Sequence, residues 1–404
     1  MRRPGLISLD AFAKTVEDAS IKTTSGGIIT LICVLMAMIL VRNEYNDYKL
    51  IVNVPELVVD RDLNKKLDIL LDVTFFNLPC ELFSLDILDT TGDINLDILN
   101  SGFEKFRIIP GTNEEIKEES LILSNQLSLE ETAKGLEPGQ ENEPCGSCYG
   151  ALPQDNKEYC CNSCAAVRLA YSKNAWEFFD GEGIAQCEAE GYVSRLREKI
   201  ERNEGCRVKG RAQINRIAGN LHFAPGSPIT MQGRHIHDLS LYRKYGSKFN
   251  FDHVINHFSF GSDPHISSDV TGSTHPLDGY RYELNKKHQV ISYYLKVVAS
   301  RYEYLTRPVL ETNQFSVITH DRPLKGGRDE DHQHTIHAQG GVPGVFFHFE
   351  ISPLKIINRE QYAKTWSGFV LGVISSIAGV LMIGTLLDRS AWAAEKVIRS
   401  KKDI

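Results

Sequence analysis

The chain lacks any long run of Lys and Arg. Its 404 residues carry 45 Lys and Arg against 52 Asp and Glu, a formal net charge of −7. Binding to a phosphate backbone needs clustered cations, so nucleic acid is excluded as a partner. The chain also lacks an Asn-x-Ser/Thr sequon, so N-glycosylation is not expected. Charge itself is missing from two stretches: Thr23 to Val41, uncharged over 19 residues, and Ser367 to Leu387, uncharged over 21. At about 1.5 Å per residue, each spans roughly the 30 Å hydrocarbon core of a bilayer. A cleavage signal is missing too. A polar segment precedes the first run, and "RNEYND" follows it without a small-residue cleavage site, so the run is read as a retained anchor.

Two spans place both termini on one side. Residues 1–22 carry Arg2, Arg3, Lys14 and Lys22, and residues 388–404 carry Arg389, Lys396, Arg399, Lys401 and Lys402. Short basic tails prefer the cytosol, and a long intervening domain is translocated whatever its charge. The expected organisation is a cytosolic tail (1–22), a transmembrane helix (23–41), a lumenal domain (42–366), a second transmembrane helix (367–387) and a cytosolic tail (388–404).

The lumenal segment reads as mainly β. "KLIVNVPELVVD", "LDILLDVTFFNLPCELFSLDIL", "QVISYYLKVVASRYEYL", "NQFSVITHD" and "GVFFHFEIS" alternate apolar and polar residues and are rich in β-branched types. Strands at both ends of the segment imply that its halves pair, and a two-sheet antiparallel sandwich is the simplest arrangement. Between them lie an acidic loop (112–144) with nine Glu against two Lys, and a cysteine-rich insertion (145–206). Within the insertion, "AAVRLAYSKNAWEFFD" and "AQCEAEGYVSRLREKIERNEGC" have helical spacing. Tyr171, Trp176, Phe178 and Phe179 either pack the insertion onto the sheet or form a rigid apolar binding patch.

Five of the nine cysteines fall within "CGSCYGALPQDNKEYCCNSC", Cys145 to Cys164. Cys33 lies inside the first apolar run. Cys80, Cys145, Cys148, Cys160, Cys161, Cys164, Cys187 and Cys206 are lumenal, an even number in an oxidising compartment, which favours disulfides. Eight cysteines allow 105 pairings; a Cys187–Cys206 bridge would close a helix-containing loop. Two other chemistries compete. Cys145 and Cys148 have dithiol–disulfide oxidoreductase spacing, but a thioredoxin-type site needs a preceding strand and a following helix, and turn-like sequence stands there. Four thiolates with near-ribbon spacing would hold zinc, which the oxidising lumen disfavours.

All 13 histidines lie in the lumenal segment. "HIHD" holds His235 and His237, "DHVINH" holds His253 and His257, and "HQHTIH" holds His332, His334 and His337. "HVINH" lacks the Glu of a metalloprotease motif, and "HQHTIH" has no evident cysteine or carboxylate partner, so neither metal nor cofactor is expected. These seven are instead candidate pH sensors, because histidine changes charge between a near-neutral and a mildly acidic compartment. The chain ends in "KKDI", where Lys401 and Lys402 stand fourth and third from the carboxylate. That is the spacing of a dilysine signal read by the COPI coat, provided that the tail is cytosolic.

Several stretches together are specific: "LDAFAKTVEDASIKTTSGG" before the first apolar run, "CGSCYGA" and "YCCNSC", "FDHVINHFSFG", "HPLDGY", "YYLKVVASRYEYL", and "GGVPGVFFHFEISPLKI". On these, the chain resembles the ERGIC family of ER–Golgi vesicle proteins along essentially its whole length. The cysteine insertion, acidic loop and dilysine tail resemble the larger subunit of that family's heterodimeric cargo receptor. The resemblance implies cycling between endoplasmic reticulum, intermediate compartment and Golgi membranes in COPII and COPI vesicles. It also implies a heterodimer with a smaller family member, and retrieval of escaped ER-resident cargo that is captured in the acidic compartment and released at neutral pH. It supplies no catalytic residue, so no enzyme is expected. The alternatives are a lumenal thiol–disulfide oxidoreductase using Cys145 and Cys148, and a passive adaptor that anchors its partner.

Overall fold

In the computed structural model, the residues described are 24–61, 66–92, 94–95, 102–111, 115–117, 145–151, 160–231, 234–261, 275–283, 287–329 and 334–402. In chain order, α1 (Thr24–Lys49) leads into β1 (Ile51–Val59), β2 (Lys66–Phe75), β3 (Phe83–Asp89), β4 (Ile94–Asn95), β5 (Phe103–Ile108) and β6 (Glu115–Lys117). Three short helices follow: α2 (Cys164–Lys173), α3 (Ala185–Ala189) and α4 (Tyr192–Glu201). Next come β7 (Gly205–Asn215), β8 (Gly219–Pro225), β9 (Pro228–Met231), β10 (Arg234–His237) and α5 (Ser240–Tyr245). The chain closes with β11 (His253–Phe260), β12 (Tyr280–Tyr282), β13 (Gln289–Glu303), β14 (Leu310–Pro323), β15 (Gly327–Arg328), β16 (Ile336–His337), β17 (Gly344–Tyr362) and α6 (Trp366–Lys402). The tail of residues 1–22, His332 and most of the acidic loop lie outside the described residues.

Two sheets carry the fold. One runs β14-β13-β17-β8-β3-β4, with β1 as a seventh strand on β17, and the other runs β12-β11-β2-β7-β5-β6. Strands distant in sequence pair antiparallel in both: β17 on β8 (Val345 opposite Phe223), β8 on β3 (Phe223 opposite Leu85), β11 on β2 (Phe258 opposite Leu71) and β2 on β7 (Val73 opposite Val208). The alternation of β2 explains its place: Leu67, Ile69, Leu71, Val73 and Phe75 all turn inward. Aromatic rings bridge the sheets. Phe258 of one stacks on Phe347 of the other at 5.0 Å, and Phe75 meets Phe223 edge-on at 5.1 Å. The mainly β, two-sheet antiparallel sandwich expected from the sequence is the observed architecture.

The chain divides into two compact units, one of residues up to 55, 303–308 and 358–404, the other of residues 56–302 and 309–357. The second holds the sandwich. In the first, α1 and α6 pack together, and each contains a stretch long and apolar enough to cross a membrane, Gly26–Lys49 and Trp366–Ala394. Gly384 permits their approach, since a Cβ there would meet Cys33 Sγ at 2.6 Å. Tyr45, Tyr48, Tyr362, Trp366 and Phe369 cluster at one end of the pair, Tyr48 stacking on Tyr362 at 5.8 Å. Amphipathic rings of this kind favour the edge of a bilayer. Beside them Lys364 bonds Glu44 at 2.5 Å and Asp47 at 3.3 Å.

Candidate functional site

All eight cysteines outside the helix pair are bridged: Cys80–Cys206, Cys145–Cys160, Cys148–Cys161 and Cys164–Cys187. Neither Cys-x-x-Cys closes on itself, and none of the eight is left as a thiolate. The expected Cys187–Cys206 bridge is not formed. Cys206 is the second residue of β7, in register with Phe75 of β2, and so belongs to the sheet. Cys187, on α3, reaches Cys164 at the start of α2 instead.

The helical reading of Ala165 to Asp180 needs a correction as well. α2 starts where Ser163 Oγ accepts from Ala166 N, and it stops at Lys173. The Asn174 amide donates to the carbonyls of Ala151 and Ala170, and Ala175 adopts φ +51°, which turns the chain out of the helix. The aromatics that follow therefore sit in turns and face different ways. Phe178 is buried against Tyr171 and Tyr192, whereas Trp176 is 44% exposed and Phe179 40% exposed. Tyr149, from the first disulfide turn, is also outward, and both Tyr149 and Phe179 hold φ +53°. A left-handed non-glycine residue costs about 1–2 kcal/mol, so the surrounding staples hold both rings against a local preference.

The insertion is tied down by a buried carboxylate. Asp180 accepts from Lys244 Nζ at 2.8 Å and from the Tyr245 hydroxyl at 2.6 Å, both on α5 or at its end, and from Arg197 on α4 at 3.3 Å. Burial alone would raise its pKa, but the bonds from Lys244 and Tyr245 outweigh that and hold it down at about 2. Nearby, Phe178 N donates to Asp238 at 3.3 Å, Phe179 N to Ser240 Oγ at 2.9 Å, and Arg168 to Ser227 Oγ. Ser227 and Asp238 flank the β9–β10 hairpin. At its base Gly226 adopts φ +82°, where a Cβ would run into the Asp238 carbonyl.

The histidines separate into distinct environments. His235 and His237 of β10 meet His222 of β8 and Asp86 of β3, two residues with no place in the sequence-level candidate set. His237 Nε2 lies 2.9 Å from His235 Nε2, 3.1 Å from His222 Nε2 and 3.3 Å from Asp86 Oδ2. Asp86 Oδ2 is 3.5 Å from His235 and 3.9 Å from His222. Burial, reinforced by His237, pushes His222 down to about 3, and burial pushes His237 down to about 4 against the pull of Asp86. His253 is fully buried between Phe251 O and the Tyr293 hydroxyl, each at 2.8 Å, and burial lowers it to about 4. Such rings stay neutral at both near-neutral and mildly acidic pH. His257 and His337 differ: each touches a carboxylate, Asp278 at 2.8 Å and Asp329 at 3.0 Å. His334 is exposed. Lys401 and Lys402 fall on the last turn of α6.

Residues 148–388 match the family model described as endoplasmic reticulum vesicle transporter, and residues 6–96 the one described as Endoplasmic Reticulum-Golgi Intermediate Compartment (ERGIC). The chain is 47% identical over 423 residues to ER-derived vesicles protein ERV46 of Saccharomyces cerevisiae, covering 100% of both. It is 35% identical over 404 residues to the probable endoplasmic reticulum-Golgi intermediate compartment protein 3 of Dictyostelium discoideum, covering 99% of this chain and 98% of that one. The crystal structure of Erv41p aligns with a TM-score of 0.39 at 19% identity, covering 76% of this chain and 99% of that one. Two family models and full-length relatives thus coincide with a β sandwich joined to two membrane-spanning helices, and the chain belongs to the ERGIC family of membrane proteins of endoplasmic reticulum–Golgi vesicle traffic.

Proposed function

We propose that the protein is a cargo receptor that cycles between endoplasmic reticulum and Golgi and retrieves escaped ER-resident proteins. The observation that carries this reading is the set of exposed aromatic rings on the insertion. Trp176, Phe179 and Tyr149 are exposed on a segment held by three disulfides and by the Asp180 network. Rigid aromatics bind with little loss of conformational freedom, which suits a recognition surface. Phe178 belongs to the scaffold and not to that set. In this reading the sandwich lies in the lumen, both termini in the cytosol, and Lys401 and Lys402 engage COPI. COPII serves export, and a smaller family member completes a heterodimer.

The pH-sensing candidates that touch a carboxylate are His257, on Asp278, and His337, on Asp329. Around His257 the facing groups are Asp278, His275 and Ser259. The test uses the full-length protein with its partner, and measures capture of lumenal proteins at about pH 6 and about pH 7.2, on either side of the histidine pKa. A defined set of proteins should bind more strongly at the lower pH and be lost in the Trp176→Ser, Phe179→Ser double variant. Equal capture by that variant would move the cargo surface elsewhere. No capture at either pH would leave the adaptor reading. The oxidoreductase reading would need a Cys145–Cys148 bridge, whereas each of these cysteines is bridged to a residue beyond the motif.

A further inference from the structure

Four side chains from three strands converge on one buried point. Asp86 is fully buried, and the side chains of His237, His222 and His235 are 2%, 5% and 10% exposed. All three rings turn the same nitrogen, Nε2, toward the others and toward Asp86 Oδ2, and the four atoms lie within 4.8 Å of one another. Hydrogen bonding alone does not satisfy this arrangement. His237 Nε2 stands within bonding distance of both His235 Nε2 and His222 Nε2. A neutral ring nitrogen carries either one hydrogen or one lone pair in the ring plane, so it cannot complete both contacts. Where two lone pairs or two N–H groups face each other at 3 Å or less in a dry site, the arrangement is strongly unfavourable.

A cation at the centre removes the conflict. Zinc bonds imidazole nitrogen and carboxylate oxygen at about 2.0–2.2 Å, and tetrahedral geometry then puts neighbouring ligand atoms about 3.3–3.5 Å apart. Five of the six separations among the four atoms, from 2.9 to 3.9 Å, bracket that edge length, and the sixth, between His222 and His235, is within 4.8 Å. The surrounding shell is consistent with it at His237, whereas the Nδ1 atoms of His222 and His235 are buried without a hydrogen-bond partner. Ser84 Oγ lies 3.4 Å from His237 Nδ1 and donates to Asp86 Oδ2 at 3.3 Å. If Nε2 binds metal, Nδ1 carries the hydrogen and donates to that hydroxyl, which fixes the tautomer.

We propose that Asp86, His222, His235 and His237 form a structural zinc site that fastens the β9–β10 hairpin to the main sheet. Three imidazoles and one carboxylate, all from the protein and nearly closed to solvent, match a structural and not a catalytic zinc centre. The consequence reaches the insertion. Ser227 and Asp238, at the two ends of the hairpin, receive Arg168 and Phe178 N from the cysteine-rich segment. The zinc would therefore hold the platform on which the insertion is seated. The proposal rests on this geometry and is independent of the cargo-receptor reading.

The test is the metal content of untagged full-length protein in detergent, dialysed against zinc and then against zinc-free buffer. About one zinc per chain is expected. His237→Ala and Asp86→Ala should each lose it, and His320→Ala, at an exposed histidine of β14, should keep it. Cobalt(II) substitution of the wild type gives a readout that does not depend on how the variants fold, namely the intense visible absorption of a four-coordinate nitrogen and oxygen site. Chelation should speed hydrogen exchange in β9 and β10. Wild-type protein free of zinc after this treatment, a six-coordinate cobalt spectrum, or zinc content unchanged in His237→Ala would each overturn the proposal.

Discussion

His253 links a single ring to the acid stability of the domain. It is fully buried against Phe251 O and Tyr293, and burial lowers it to about 4 from an ordinary value of 6.5. The folded-state value is depressed, so the unfolded chain takes up the proton first. The favourable contribution is complete above pH 6.5 and is lost as pH falls toward 4. Between pH 7 and pH 5 this ring alone should cost on the order of 2 kcal/mol. Denaturant unfolding of wild type and His253→Gln at both pH values measures it. The variant should show the smaller acid loss, and equal losses would sink the idea. The residue scale is also where the sequence was least legible. Neighbouring histidines such as His235 and His237 stood out as a pair, but their partners Asp86 and His222 come from distant strands, and nothing in local spacing links them. Trp176, Phe178 and Phe179 looked alike in sequence. Only the turn after Asn174 separates the buried ring from the exposed ones.

At the scale of elements, the staple between Cys80 and Cys206 joins the loop between β2 and β3 to the start of β7 across 126 residues of sequence. Closing a loop of that length restrains the unfolded chain by about 4–5 kcal/mol in the chain-entropy picture. The Cys80→Ala, Cys206→Ala double variant should lose stability of that order under oxidising conditions, read as a shift in denaturation midpoint. A shift below about 1 kcal/mol would mean that the reference chain is already compact. The strands that alternate cleanly, β2, β13 and the inner half of β17, were readable from sequence because one face is core. β7 was not singled out. Its outward residues Arg207, Lys209 and Arg211 are charged, and Arg207 is held by Asp72 at 2.7 Å and Glu115 at 2.7 Å, so polar side chains occupy a central strand. The preceding helical spacing of α4 also masked where the strand begins.

For the whole molecule, the proposed function puts the address at the ends of the chain and the recognition on the cysteine-rich insertion. Under the proposed coat signal at Lys401 and Lys402, Lys401→Ser with Lys402→Ser should shift steady-state distribution from endoplasmic reticulum toward Golgi without changing sandwich stability. Fluorescence microscopy and thermal unfolding of the same variant check both parts. Unchanged distribution would remove the dilysine reading. The two apolar helices were legible because length and composition alone define them. The way the two halves of the sandwich interleave was legible only as an expectation that early and late strands pair.

That interleaving sets a timetable for biosynthesis. The three staples of the insertion join residues 13 to 23 apart and can close as soon as that stretch emerges. Cys80 must instead wait for Cys206, 126 residues later, roughly 6 to 25 s at a synthesis rate of about 5–20 residues per second. β17 arrives last and lies between β13 and β8, so one sheet stays open at its centre until the ribosome is starting the second membrane helix. The nascent chain therefore presents an unpaired thiol from Cys80 until Cys206 is made, and an unfilled strand slot from β8 until β17 arrives. The long-range staple and the central strand are thus the two parts of the fold that close late.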